Sequence, residues 1–271
     1  MVSIITTFFN AEDYLESCIG SVRSIPDQDM IEHLLVDDGS TDSSKNIAIK
    51  HKSKNTILLS EGRIGRANAL NLAIKRSRYK YICILDSDDM INPEWISFFI
   101  KNVVDFEDND KSAVFFGKTC FIGDQQLCQL NYVSKPSSYN FLNFNSTRIF
   151  FHNPVPHLGT IFNKDFFQGN NPYDNSRSTQ LDWDLWFRFI SMKKNFLKFD
   201  IFSGSKRIHA NQFFEQQRHF KYTVMGVLLQ LSWTLKLKKY LLPIVFIIAL
   251  LRLVWCLIPK KFRISFYRQH E

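Results

Sequence analysis

Cysteine is scarce and lacks a pairing pattern: Cys18, Cys83, Cys120, Cys128 and Cys256 are an odd five without metal-type spacing. That argues against a disulfide framework and for a reducing compartment. The histidines are scattered without cysteine or histidine partners at ligand spacing, which speaks against zinc. No Gly-x-Gly-x-x-Gly follows the first apolar stretch, so a dehydrogenase is not expected. Internal repeats and low-complexity linkers are also missing. The chain opens directly on Val2-Ser-Ile-Ile-Thr-Thr7 rather than on a basic stretch with a cleavable apolar segment. The body is therefore expected to stay in the cytoplasm.

What is present is ordinary globular material: 271 residues, 45% hydrophobic and 22% charged, enough for one large α/β domain plus an appendage. The formal net charge of +8 is unevenly placed. Residues 207–271 hold 11 Lys/Arg against Glu215 and Glu271, leaving 23 basic and 24 acidic residues before them. A nucleic-acid binder would carry its basic residues in a crevice, whereas here they sit in a hydrophobic tail, so nucleic acid is not expected as a partner.

Val2 to Thr7 is short, apolar and β-branched, as a strand covered on both faces of a parallel sheet is, and Ile31 to Val36, Thr56 to Ser60 and Tyr81 to Leu85 read as three further strands. Between them, helical spacing runs from an N-cap at Asn10 to Pro26, beyond a turn at Asp37-Asp-Gly-Ser-Thr-Asp42, and from Gly65 to about Arg76. Asn92-Pro93 caps a further helix carrying Trp95, Phe98, Phe99 and Val103. Ala113 to Phe121 reads as a strand and Leu181 to Lys194 as a helix, with little pattern between them. This alternation predicts an α/β class fold, an open, mostly parallel sheet with helices on both faces, whose ligands bind beyond the strands' C-terminal ends.

Residues 224–235 and 240–258 are two hydrophobic blocks separated by Lys236-Leu-Lys-Lys239. The second is interrupted by Pro243 and Arg252 and is just short of the ~20 residues a transmembrane helix needs. Three readings follow: helices lying in the membrane interface, a true span, or a soluble hydrophobic interface. The first is preferred because it keeps both basic clusters, including Lys260, Lys261, Arg263 and Arg268, on anionic lipid. The expected division is residues 1–215 and a membrane-associated helical tail at residues 216–271.

The fourth apolar run stops on three carboxylates, Asp86, Asp88 and Asp89. Like charges this close need neutralising, and a hard divalent cation bridged to a phosphate does so with oxygen ligands.

Val2-Ser-Ile-Ile-Thr-Thr-Phe-Phe-Asn-Ala11, Leu35-Val-Asp-Asp-Gly-Ser-Thr-Asp42, Gly65-Arg-Ala-Asn-Ala-Leu-Asn71, Leu85-Asp-Ser-Asp-Asp89 and Leu181-Asp-Trp-Asp-Leu-Trp-Phe-Arg188 occur in order. Through them, residues 1–210 resemble the family-2 glycosyltransferases, inverting enzymes of GT-A fold. Two positions depart from the family pattern: Leu181 stands where Glu is usual, and Thr6 where a proline is common. The resemblance implies a nucleotide-sugar donor, UDP-linked, and a divalent metal cofactor, Mn2+ or Mg2+. It places Thr7 and Phe9 against the nucleotide, Asp38 on the uracil N3 proton, Asp86 on the ribose or the ion's water shell, and Asp88, with Asp89 as second candidate, on the metal. Asp182 takes the general-base position, with Asp184 as runner-up.

Arg63 and Arg66 are candidates for the diphosphate, and Arg66 is the one assigned to nucleotide-sugar binding. Arg207-Ile-His209 and His157 match recurrent family positions. Asp37 is read equally well as a turn residue, and Trp183 and Trp186 as sugar platform or core. The expected acceptor is a glycan, lipid-linked, at the cytoplasmic face of the cell membrane. The competing function is a catalytically silent nucleotide-sugar-binding or scaffold protein.

Overall fold

The computed structural model describes residues 1–107, 112–123, 141–142, 145–209 and 219–257. Strands β1 (Val2–Phe8), β2 (Ile31–Asp37), β3 (Thr56–Ser60) and β4 (Tyr81–Ile84) form a parallel row in the order β3-β2-β1-β4. β1, β2 and β4 are buried almost throughout, as apolar runs covered on both faces require. The chain steps outward from β1 to β3 and then crosses back to β4. Right-handed crossovers consequently put α1 (Leu15–Arg23) and α2 (Ser44–Lys50) on one face and α3 (Arg66–Arg76) on the other. That reversal opens a crevice at the C-terminal ends of β1 and β4.

Beyond β4 the sheet continues with β8 (Ile161–Asn163), β6 (Ser112–Gly123), β9 (Asn195–Ile208) and β5 (Met90–Ile91), and β7 (Phe141–Leu142) pairs with β9. β8 is antiparallel to β4 and β6, while β6 and β9 are parallel. The α/β class is as expected and β6 covers the strand expected at Ala113 to Phe121, whereas β5, β7, β8 and β9 have no counterpart in the sequence pattern. α4 (Pro93–Glu107) starts as predicted, with the Asn92 side chain accepting from the Glu94 N–H at 3.0 Å. Its Trp95 is fully buried, donates to the Gly159 carbonyl at 2.7 Å and packs with Phe99, Tyr81 and Cys18.

One expected cap is corrected. Asn10 does not cap α1, which starts at Leu15 behind Tyr14. It has φ +49 and its side chain accepts from the Thr41 N–H at 2.8 Å, tying the loop after β1 to the loop after β2.

His33 in β2 is 3% exposed and hydrogen-bonded through Nε2 to the Thr6 hydroxyl at 3.0 Å. Burial pushes its pKa down to about 3. The unfolded chain takes up that proton near the ordinary ~6.5 and the folded one does not. Stability is thus fully present above pH ~6.5 and falls as the pH drops towards the folded value. Urea midpoints at pH 7.5, 6 and 5 should decline, and His33→Gln should remove about one proton's worth of that slope.

The chain divides into two compact units, Met1–Ser146 with Pro154–Ile208, and Thr147–Asn153 with His209–Glu271. In the second, α6 (His219–Leu237) and α7 (Leu242–Leu257) pack together. Arg252 on α7 donates to the Gln230 side chain at 3.0 Å and to the Phe151 carbonyl, and buried Gln230 donates to the Phe150 carbonyl at 2.6 Å. Only a stripe of α7 is covered, through Val245 and Ala249, while Ile244, Phe246, Ile247, Leu251 and Val254 stand more than half exposed. Lys239–Cys256, with mean hydropathy 2.0, is long and apolar enough to cross a membrane. The basic cluster from Lys260 onward, and Cys128, lie outside the described residues.

Candidate active site

Three strand ends and two helix starts meet at the crevice. At the end of β2, Asp37 is 2% exposed and Oδ1 accepts from the Ser40 N–H at 2.8 Å, so it closes the turn. Asp38 follows, and its Oδ1 accepts from the Ile64 and Gly65 N–H groups, both at 2.8 Å. The two loops lie so close that a Cβ on Gly39, at φ +79, would stand 3.0 Å from the Arg63 nitrogen. The second Asp38 oxygen is 3.6 Å from the Arg63 guanidinium, which also donates to the Asp38 carbonyl at 3.2 Å.

That guanidinium lies 3.3 Å over the ring of Phe9, which is 41% exposed. Arg63 thus covers one face of the ring expected to stack on a base. Thr7 stands half-buried near the end of β1, beside Val36 in register.

The loop after β4 holds the carboxylates. Asp86 pairs with Arg66 from the start of α3. Burial pushes the Asp86 carboxyl up, but Arg66, His157 and Lys206 together outweigh this and hold it below the usual range. Asp88 is half-buried. Asp89 is 1% exposed, and its carboxylate accepts from the Arg207 N–H at 2.9 Å. Burial, reinforced by the charges of Asp88 and Asp86, raises its pKa well above the ordinary value.

Arg207 itself is buried beneath this loop, donating from Nε to the Asp88 carbonyl at 3.1 Å. Asp89 and Arg207 thus brace the loop from inside, and Asp89, expected among the metal ligands, carries its carboxylate there. His209 falls in the second unit.

Asp182 and Asp184 open α5 (Leu181–Ser191) behind Gln180, which has φ 57. Asp184 is 3% exposed and tied to Arg188 at 2.7 Å and Arg177 at 3.6 Å. Asp182 is half-buried, and its charge acts on Arg66, His157 and Tyr173. Trp183 and Trp186 are both core residues, Trp186 donating to the Val155 carbonyl at 3.2 Å.

Two residues escaped the sequence reading. Tyr173 Oη lies 2.7 Å from His157 Nε2, and Asn71 binds the backbone of Tyr173 at both its N–H (3.0 Å) and carbonyl (2.8 Å). Asn71 lies within a quoted motif, but Tyr173 sits in a stretch with no periodic signal.

Among the described residues, no group of three or more His, Cys, Asp or Glu side chains converges on a metal position. The donor set still fits one kind of cation. Two carboxylates of one loop, Asp86 and Asp88, are hard oxygen donors at the crevice, and Mg2+ or Mn2+ takes one or two carboxylates with water and substrate phosphate completing the shell.

An open sheet whose topological reversal gathers carboxylates in this way is the GT-A type of α/β fold. The chain belongs to glycosyl transferase family 2, whose model matches residues 3–167. An uncharacterized glycosyltransferase of Rickettsia prowazekii is 29% identical over 213 residues, 78% of this chain and 65% of its own length. The UDP-Glc:alpha-D-GlcNAc-diphosphoundecaprenol beta-1,3-glucosyltransferase WfaP of Escherichia coli is 30% identical over 142 residues, 52% of this chain and 54% of that protein. The chain thus spans less than two thirds of either relative. Residues 1–349 of S. aureus TarS, crystallised with UDP-GlcNAc, superpose with TM-score 0.62 at 18% identity, covering 84% of this chain and 66% of that one. This last likeness shows the fold.

Proposed function

We propose that this protein is an inverting glycosyltransferase that moves a sugar from a UDP-sugar onto a hydroxyl of a lipid-linked glycan. The observation that carries the proposal is the meeting of Arg66 and Asp86 with Asp182, which come from three distant segments and interact electrostatically in one crevice. In this reading Phe9 and the outer oxygen of Asp38 receive the uracil, Thr7 lines the nucleotide, and Asp86 faces the ribose.

Arg66 turns to the diphosphate and Asp88 holds the cation. Bound there, a divalent ion would neutralise charge building on the leaving nucleoside diphosphate. Asp182 takes the proton of the acceptor hydroxyl as its oxygen attacks the anomeric carbon and the bond to UDP breaks. One base and one displacement invert the configuration.

The lipid-linked acceptor draws on the name of the E. coli relative, which specifies a diphosphoundecaprenol substrate. It agrees with an attachment of the second unit to the cytoplasmic membrane face through the exposed apolar side of α7, with Lys236, Lys238 and Lys239 on anionic headgroups. Titration of the full chain in detergent with UDP, with and without Mn2+, tests the donor side. Binding tightened by Mn2+ is expected, and metal-independent UDP binding removes the proposed role of Asp88. Product mass from a UDP-sugar panel and an undecaprenyl-diphosphate-linked sugar tests transfer, and no product with any donor overturns it.

A further inference from the structure

Arg66 is held from two sides. Beyond its pairing with Asp86, its Nη2 lies 3.3 Å from His157 Nδ1. A guanidinium has donors only, so Nδ1 must be the acceptor, and in the neutral ring the proton then sits on Nε2. Nε2 lies 2.7 Å from Tyr173 Oη, so the ring donates and the tyrosine oxygen accepts. Burial favours the neutral ring, holding the pKa of His157 below the ordinary histidine value.

Tyr173 is fixed in turn. It is 1% exposed, and the Asn71 amide makes two hydrogen bonds to its backbone and a third, at 2.6 Å, to the Asn175 side chain. Asn71 and Arg66 belong to one helix, α3. The connections therefore close on themselves: the helix that presents Arg66 also pins the segment whose tyrosine orients the histidine that holds Arg66.

We propose that Tyr173, acting through His157, is a positioning residue that aims Arg66 at the diphosphate of the sugar nucleotide. The proposal rests on the glycosyltransferase reading above, which gives Arg66 that ligand. An arginine on a long flexible stem loses rotamer freedom when it binds. One held by His157 has already lost much of it, and keeps that support when Asp86 turns to the ribose.

Four proteins test this: wild type, Tyr173→Phe, Arg66→Ala and the double variant, each titrated with UDP and with uridine. Tyr173→Phe removes one neutral hydrogen bond and should weaken UDP binding about fivefold, leaving uridine, which has no phosphate, unchanged. In the Arg66→Ala background the same substitution should have no further effect on UDP. Nitrogen-15 NMR of the wild-type imidazole should show His157 protonated on Nε2 alone, with a tautomer mixture in Tyr173→Phe.

An equal loss of UDP affinity in both backgrounds, an equal loss for uridine, or an Nδ1-protonated His157 in the wild type overturns the proposal and leaves the donor assignment standing. Failure of all four proteins to bind UDP overturns the donor assignment as well.

Discussion

Asp182→Asn should lower turnover by about 100- to 10,000-fold while UDP affinity stays within about twofold, because a general base is needed only as the acceptor oxygen gives up its proton. Asparagine keeps the size of the side chain and its capacity to accept a hydrogen bond, so helix α5 should start where it does now. Asp184→Asn supplies the contrast. Asp184 is buried and shared by Arg188 and Arg177. Neutralising it leaves arginines near it undercompensated and should lower the denaturation midpoint more than the chemical step. Steady-state rates and urea midpoints for the two variants separate the roles. Full transfer by Asp182→Asn, or a larger catalytic loss in Asp184→Asn, moves the base elsewhere.

That these two aspartates differ was legible only in part. Spacing alone separates them by about 200° around a helix, so one of them must face away from the crevice. Which one does so depends on Arg177 and Asp174, which belong to the preceding loop and have no periodic signature. Strands β1, β2 and β4 were readable for a different reason. Burial on both faces demands continuous apolar runs, and such runs are visible locally. β8 and β9 were not, because each is specified by partners far along the chain and β9 mixes buried with exposed positions.

Motif spacing puts Asp38 on the loop after β2 and Asp86, Asp88 and Asp89 on the loop after β4, without their side-chain directions. Asp38 has one oxygen occupied by the Ile64 and Gly65 amides, and Asp89 turns inward to Arg207 because β9 runs beneath it. Arg63 lies over Phe9 through a loop conformation that Gly62 and Gly65, both at positive φ, permit.

The inward turn of Asp89 sharpens what its neighbour should do. Asp88→Ala should abolish the Mn2+-dependent part of UDP affinity, bringing binding to the level measured in chelator, and lower turnover on the order of 100- to 1,000-fold, the share expected from stabilising the leaving diphosphate. Uridine binding should not change, since Asp38 and Phe9 stand at the ends of other strands.

Asp89→Asn should behave differently. An amide oxygen still accepts from the Arg207 N–H, and the replacement removes a carboxylate crowded by Asp86 and Asp88. Its Mn2+ dependence should therefore survive. Asp86→Asn should weaken the hold on Arg66 and reduce UDP affinity both with and without Mn2+, because it touches the arginine as well as the ribose side. Titration calorimetry of the three variants with UDP, in Mn2+ and in chelator, gives three separable patterns. If Mn2+ dependence survives Asp88→Ala and disappears in Asp89→Asn, Asp89 is the ligand, and its carboxylate must leave Arg207 when the cation binds.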